Sequence, residues 1–402
     1  MKSLFFFFKS EFCIVICAGV ALRAIVSLHS YSGAGTPPMY GDYEAQRHWQ
    51  EITVNLSPKD WYLNTNNNNL SYWGLDYPPL TAYHSYLMGK VAHAINTSYI
   101  ELHASQGIET SCHKSFMRYT VLAADVLLLV PSAVVYVLSV GKLINSGDAM
   151  QEILALQQLV IILMYPGQIL IDNGHFQYNN ISLGLTAFAI ACIIKEYHML
   201  SSICFTMALN YKQMELYHSI PFFIYLFRIC LNEKRFFRTF LKIGCAVVLT
   251  CIIIWSPWIY SIDGIRMVIN RIFPLVRGVY EDKVANFWCA ANVVIKLKSI
   301  FSNQQMAIIC FLLTLVSLAP SAINLFLISS KRIFLYALFN CALCFYLFSF
   351  QVRFICLNLS GALKKSVLLV SYRYESVLKS EVRKLFLKIR NLYSVFITPS
   401  KR

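Results

Sequence analysis

Long apolar runs alternate with short polar segments along this chain, and one polar stretch is much longer than the others. Apolar runs cover about residues 4–28, 117–140, 152–171, 180–195, 199–210, 215–231, 240–261, 305–329 and 333–352. A helix crosses a hydrocarbon core of ~30 Å in ~20 residues. In lipid the backbone must satisfy its own hydrogen bonds, so these runs predict spanning helices. A membrane β-barrel would need ~10-residue segments of alternating polarity, which the chain lacks. The runs at 180–195 and 199–210 are short for spans, and residues 285–298 form a partial run interrupted by Lys296 and Lys298. The first run carries Phe5 to Phe8 between Lys2 and Lys9, and Arg23 interrupts its end. No small-residue cleavage site follows, so it reads as a retained anchor rather than a signal peptide.

The long polar stretch, residues 29–116, contains the turn-rich run Asn64 to Asn69 and the helix-breaking Tyr77-Pro78-Pro79. Orientation follows from the basic connection Glu233-Lys234-Arg235-Phe236-Phe237-Arg238, with Lys242 beyond it. Placed in the cytosol, it puts the N-terminal lysines on the same side. Counting spans from it then puts residues 29–116, the turn near Asp172 and residues 262–284 on the opposite, lumenal side. Three N-x-Ser/Thr sequons, at Asn55, Asn69 and Asn96, are compatible with a lumenal loop.

Composition agrees with this picture. The chain has 402 residues, 57% apolar and 14% charged, as expected of an all-α polytopic membrane protein. Its formal charge of +15 would invite a nucleic-acid reading, but the charge is localised. Residues 353–402 hold eleven Lys and Arg against Glu375 and Glu381, or +9, leaving +6 for the rest. No nucleic-acid partner is therefore expected. The thirteen cysteines sit mostly in apolar runs, where they behave as small buried side chains. Cys341 and Cys344 have CxxC spacing but no second ligand pair, and no disulfide framework is legible.

Candidate chemistry gathers in polar islands that the span parity places on one face. They are Gly41–Trp49 with Trp73–Pro79, then Asp172–Asn179, then Arg277–Lys283, with Asn210–Gln213 as a fourth. One such island reads as an ordinary interhelix loop, whereas four on one face point to a site at the lipid–water boundary. A carboxylate there can act as general base toward a sugar hydroxyl. Asp42 suits that role better than Glu44, because it lies nearer the preceding span on a shorter side chain. Lys212, Arg271, Arg277 and Lys283 are cations that could hold a phosphate leaving group. Trp49, Trp61, Trp73 and Tyr77 could stack on sugar faces or form an interfacial aromatic belt. No HExxH, P-loop or GxGxxG pattern is present, so metal and nucleotide binding have no motif behind them.

These islands resemble a known family. Gly41-Asp42-Tyr43-Glu44-Ala45-Gln46-Arg47-His48-Trp49, the segment from Trp73 through Leu75-Asp76-Tyr77-Pro78-Pro79 to His84, Asp172–Asn179, and Arg277–Trp288 are similar to the dolichyl-phosphate-glucose-dependent glucosyltransferases of the endoplasmic reticulum. The resemblance runs from near residue 5 to about residue 352 and is closest to the first-glucose type. The second-glucose type shares the Leu75–Pro79 core and is the alternative. The resemblance implies a GT-C-type bundle with a large lumenal first loop, in a multi-pass protein of the endoplasmic reticulum membrane. It implies dolichyl-phosphate-glucose as donor, a lipid-linked Man9GlcNAc2 acceptor and membrane lipid as partners, and no cofactor. A β-linked donor and an α-1,3 product mean inversion at the anomeric centre, which needs a base opposite the leaving phosphate. The resemblance assigns that base to Asp42, and it associates Glu44, Arg47, Trp49, Asp76, Tyr77, His175, Gln177, Lys212, Arg277 and Lys283 with substrate binding.

The resemblance stops after Ser349-Phe350-Gln351-Val352, where the family continues with His-Glu-Lys-Ser and further spans. Here Arg353-Phe354-Ile355-Cys356 opens a basic tail. The chain therefore divides into a membrane glucosyltransferase module, 1–352, and a non-family tail, 353–402. The tail's Val382, Leu385, Ile389, Leu392 and Phe396 recur at helical spacing among basic residues, which also fits a helix on an anionic membrane surface. Without the family's His-Glu-Lys group, a catalytically impaired protein that only binds is a further expectation.

Overall fold

The computed structural model describes residues 10–143, 147–273 and 286–349. Among these residues the chain is helical, with no sheet and a lone β-bridge between Thr65 and Asn68. Helix α1 is Ser10–Val26, α2 Gly41–Asn55, α3 Pro79–Ile95 and α4 Ser111–Gly141. Helices α5, Asp148–Leu163, and α6, Pro166–His175, follow, then α7, Asn179–Ile194, and α8, His198–Tyr211. Next come α9, Leu216–Asn232, α10, Phe236–Trp255, α11, Ile262–Ile272, and α12, Phe287–Ile295. The last two described are α13, Asn303–Leu327, and α14, Lys331–Phe348.

Four of these helices are long and apolar enough to cross a membrane, namely α4, α10, α13 and α14. Helices α5 and α6 form a pair bent by 40° that passes the same test together. The bend falls at Pro166, which pushes Tyr165 out of helical geometry and starts a new helix at its own fixed φ. The predicted run at 152–171 is thus one apolar stretch folded as a broken helix. Helix α7 is short but central: almost every residue from Ser182 to Ile194 is buried, and α4 and α8 pack on it. An apolar helix without a polar face belongs in the interior of a bundle. Its core is shared with Val137, Leu159, Phe205, Phe222 and Phe334. Helix α10 is the opposite case. Only Ile254 is buried, while Phe237 and Ile253 are 76% and 70% exposed, as a lipid-facing surface requires.

The long polar stretch folds as well. Helices α2 and α3 pack together, and the segment between them buries its Trp61, Tyr62 and Leu75 against Trp49, Ile52 and Ala82. Helix α11 closes this unit by burying Val268 and Ile272 against Trp49 and Trp258. Ser261 caps α11, its hydroxyl accepting from the Gly264 N–H at 2.9 Å. The long polar stretch, expected as a large first loop, is therefore a compact helical cap over one end of the bundle.

Candidate active site

Helix α2 carries the charges that stand out in the sequence, and it turns them inward. Every residue from Tyr43 to Thr53 is buried, although the segment is polar. The reason is an internal network. The Arg47 guanidinium donates to both Glu44 oxygens at 2.8 and 2.6 Å and to Glu51 at 2.7 Å. It also donates to the Ser105 hydroxyl at 2.5 Å. His48 Nδ1 lies 3.1 Å from Glu51, and the His103 backbone N–H donates to Glu51 at 2.7 Å. The Tyr72 hydroxyl donates to Glu44 at 2.9 Å. Burial alone would raise the Glu51 pKa. The His48 hydrogen bond, the Arg47 charge and the His103 N–H outweigh it and hold the carboxyl down at about 2.

Asp42 stands apart from this network. It occupies the first turn of α2, is half-buried, and makes no hydrogen bond or ion pair among the described residues. Of the three carboxylates on this helix, only Asp42 has both oxygens uncommitted among the described residues. Its backbone is nonetheless tightly fixed. Tyr40 and Gly41 both have positive φ, 52° and 71°, so the chain turns sharply into the helix. A Cβ on Gly41 would lie 2.0 Å from the Ser32 carbonyl oxygen, so only glycine allows this approach.

Ser32 is held in turn by the end of α6. His175 Nδ1 accepts from the Ser32 N–H at 3.1 Å. Phe176, in left-handed geometry at φ 56°, ends α6 and sits between the rings of Tyr31 and Tyr43, each 5.0 Å away. The Arg118 guanidinium covers the same Phe176 ring at 5.6 Å.

On the other side of α2, the Trp49 Nε1–H donates to the Trp73 carbonyl at 2.7 Å, and its ring meets Tyr77 edge-on at 5.2 Å. Lys212 Nζ lies 4.5 Å from the centre of the Tyr77 ring and donates to Asn179 Oδ1. Arg271 reaches from α11 to the Gly74 and Leu75 carbonyls at 2.8 and 3.3 Å, so it fastens the Trp73–Pro79 loop.

A second buried polar network runs through the bundle. Arg23 of α1 pairs with Asp125 of α4 at 3.3 Å, both fully buried, and donates to the Leu163 carbonyl at 2.5 Å. Asp125 opens a π-helical turn, Asp125–Leu129, inside α4, a device that re-aims a side chain without ending the helix. Asp125 accepts from Asn173 Nδ2 at 2.8 Å and from Asn180. Asp172 accepts from Asn179 Nδ2 at 2.5 Å and from the Asn180 N–H at 2.7 Å. Two acids and two bases, Arg23 and Lys212, are thus linked through three asparagines, so no single charge is buried alone.

The structure brings Glu44, Arg47, Trp49, Tyr77 and Lys212 into one connected region, but it commits their polar groups internally. Lys212 and Tyr77 are nearly fully buried, at 3% and 6% exposure. The cation read as a phosphate ligand is here bonded to Asn179, and Arg271 to backbone carbonyls. Asp76 is half-buried, and its carbonyl accepts from Gln213 at 3.3 Å. Gln177 is buried next to Asp172, with its N–H donating to the Asp172 carbonyl at 3.2 Å. His175 is half-buried beside Ser32. Arg277 and Lys283 lie outside the described residues, as does the tail at 353–402. Sequence reasoning missed Asp125 and gave Arg23 no role. Each is an ionisable residue within an apolar run, which is itself the signal that would have found them.

The sequence matches the model of the ALG6, ALG8 glycosyltransferase family over residues 18–355. A Drosophila melanogaster relative is 52% identical over 348 residues, covering 86% of this chain and 72% of the relative. Rattus norvegicus and Gallus gallus relatives are each 46% identical over 361 residues, covering 89% of this chain and 68% of theirs. The rat and chicken proteins are named dolichyl pyrophosphate Man9GlcNAc2 alpha-1,3-glucosyltransferase, and the Drosophila protein's name refers to the same activity. With a helical membrane bundle and its polar cap in place, these matches show that the chain belongs to the ALG6, ALG8 glycosyltransferase family.

Proposed function

We propose that this chain transfers glucose from dolichyl-phosphate-glucose to Man9GlcNAc2 carried on dolichyl pyrophosphate, forming the first α-1,3-linked glucose. The names of its relatives support the reaction, and the second-glucose and binding-only alternatives find no support in those names. The proposed site lies on the lumenal face of the endoplasmic reticulum membrane, where the positive-inside parity puts α2. The observation that carries the residue assignment is an Asp42 carboxylate with no partner among the described residues, on a helix whose other two acids are internally paired.

In this reading the acceptor mannose hydroxyl attacks glucose C1 while Asp42 takes its proton. The C1–O bond to phosphate breaks from the opposite face, dolichyl phosphate leaves, and the β-linked donor gives an α product. The requirement is a carboxylate whose position is set and whose oxygens are not already occupied. Glu44 and Glu51 fail the second condition. The reaction as written calls on neither metal nor nucleotide.

The test uses the full chain in lipid nanodiscs with dolichyl-phosphate-glucose and the Man9GlcNAc2 lipid. Asp42→Asn should lower kcat by ~10²- to 10⁴-fold, the usual loss when a general base is removed. Full turnover by Asp42→Asn would remove Asp42 from the role. A preference of the wild type for a singly glucosylated acceptor would replace the first-glucose reading by the second.

A further inference from the structure

We propose that His175 is a positioning residue for Asp42, acting through Ser32 and Gly41 by way of its Nδ1 rather than by touching substrate. The inference rests on the reading of Asp42 as base. A backbone N–H can only donate, so the nitrogen that accepts from Ser32, Nδ1, is unprotonated. A neutral ring therefore carries its proton on Nε2, which makes no hydrogen bond among the described residues. Two roles are open to such a ring, one through each nitrogen, and the surrounding backbone favours Nδ1.

Ser32 is an exposed residue in an irregular segment, yet its carbonyl is in the closest backbone approach to the start of α2. A Cβ on Gly41 would meet Ser32 O at 2.0 Å and Ser32 C at 2.9 Å. A Cβ on Gly33 would meet Gly41 N at 2.4 Å and Gly41 Cα at 2.5 Å. Backbone 32–33 is therefore seated on backbone 40–41, directly before Asp42. The hydrogen bond from the Ser32 N–H to His175 fixes that segment from the side of the bundle. Phe176 adds a second clasp, holding Tyr31 before the segment and Tyr43 after Asp42.

His175 is itself placed by the buried network. It is the last residue of α6, and the Phe176 N–H closes that helix on the Asp172 carbonyl. The Asp172 carboxylate is held by Asn179 and Asn180. A continuous path thus runs from the bundle interior through Asp172, His175, Ser32 and Gly41 to the Asp42 carboxylate. A displacement of the reacting group by ~1 Å costs on the order of 100-fold in rate, so such a path has a measurable effect.

Isosteric variants separate the two nitrogens. The Oδ1 of asparagine is bonded to Cγ, as Nδ1 is, and can accept from Ser32. The amide of glutamine lies one bond further out, near Nε2, and cannot. In the nanodisc assay, His175→Ala should lower kcat by ~10-fold or more, with both KM values nearly unchanged. His175→Asn should recover most of that loss, while His175→Gln should remain as low as alanine. Activity retained by His175→Gln and lost in His175→Asn would overturn the proposal in favour of contact through Nε2. Unchanged kcat in His175→Ala would overturn it outright. If alanine fails to fold, the order of the asparagine and glutamine variants, each checked by thermal unfolding, decides. A wild type with no glucose transfer would instead defeat the reading of function.

Discussion

Replacing Gly41 by alanine, with Gly35→Ala as its partner, separates backbone strain from backbone collision. Both glycines have positive φ, 71° and 64°, so alanine at either position pays a similar penalty, ~1–2 kcal/mol in left-handed geometry. Their surroundings differ completely. A Cβ at Gly35 meets nothing within 4 Å, whereas at Gly41 it would lie 2.0 Å from Ser32 O. Real Cβ contacts essentially never fall below 3.0 Å, and Ser32 O is backbone that cannot rotate away. The approach must therefore open by about 1 Å, enough to cost on the order of 100-fold in kcat if Asp42 is the base. Gly35→Ala should lower thermal stability slightly and leave kcat within about threefold, since no atom is displaced toward the reacting group. The assay is steady-state glucose transfer in nanodiscs, with thermal unfolding of each variant alongside. Equal kcat values for the two variants would refute the claim that the Ser32–Gly41 contact places Asp42.

Four further outcomes follow from the same geometry. Arg47→Met leaves Glu44 and Glu51 buried without their shared cation and should destabilise the protein by ~3–5 kcal/mol. Asp263→Asn, which breaks an exposed 3.9 Å pair with Arg266, should leave the unfolding temperature unchanged. Glu51 adds a pH dependence of known sign. Its carboxyl sits at about 2 when folded against 4.5 as a free group, so it stabilises the fold at neutral pH. That contribution, ~3 kcal/mol, is lost as pH falls from about 4.5 toward 2, and Glu51→Gln should remove this part of the acid unfolding curve. Finally, glycan occupancy tests the lumenal placement. Asn96 and Asn69 are exposed, and each keeps its side-chain amide undonated among the described residues. The Asn55 amide donates to the Glu51 and Ile100 carbonyls at 2.9 and 2.7 Å. Removal of glycan by endoglycosidase should shift the wild type, and Asn96→Gln or Asn69→Gln should reduce that shift while Asn55→Gln does not. A chain made in endoplasmic reticulum membranes with neither Asn96 nor Asn69 occupied would refute the lumenal orientation.

The buried network in the bundle gives the cap its footing. In lipid, apolar contact between helices has no solvent-driven advantage, so polar pairs do more of the specifying. Arg23 with Asp125, and Asp172 with Asn179 and Asn180, join α1, α4, α6 and α7 at one level. Asn179 also reaches Lys212 and, through it, the Tyr77 ring. The loops that carry the candidate site thus hang from a fixed internal frame.

Apolar run length determined the helical membrane architecture, because a hydrocarbon core imposes the same length and backbone rule on every span. Motif chemistry in the sequence pointed to the family and to the four polar islands, since such dense ionisable groups beside apolar runs are uncommon. Tertiary structure alone decided which of those groups are free. Glu44, Arg47 and Trp49 stand two to seven positions from Asp42, and linear spacing treats them alike. Folding turns the first two into one ion network, ties the Trp49 indole to Trp73, and leaves the Asp42 carboxylate without a partner among the described residues. The pairings that achieve this, Arg47 with Ser105, Arg271 with Gly74 and His175 with Ser32, join residues 58 to 197 positions apart. No local pattern in a sequence encodes contacts of that range, because they are set by how helices pack rather than by what any helix contains.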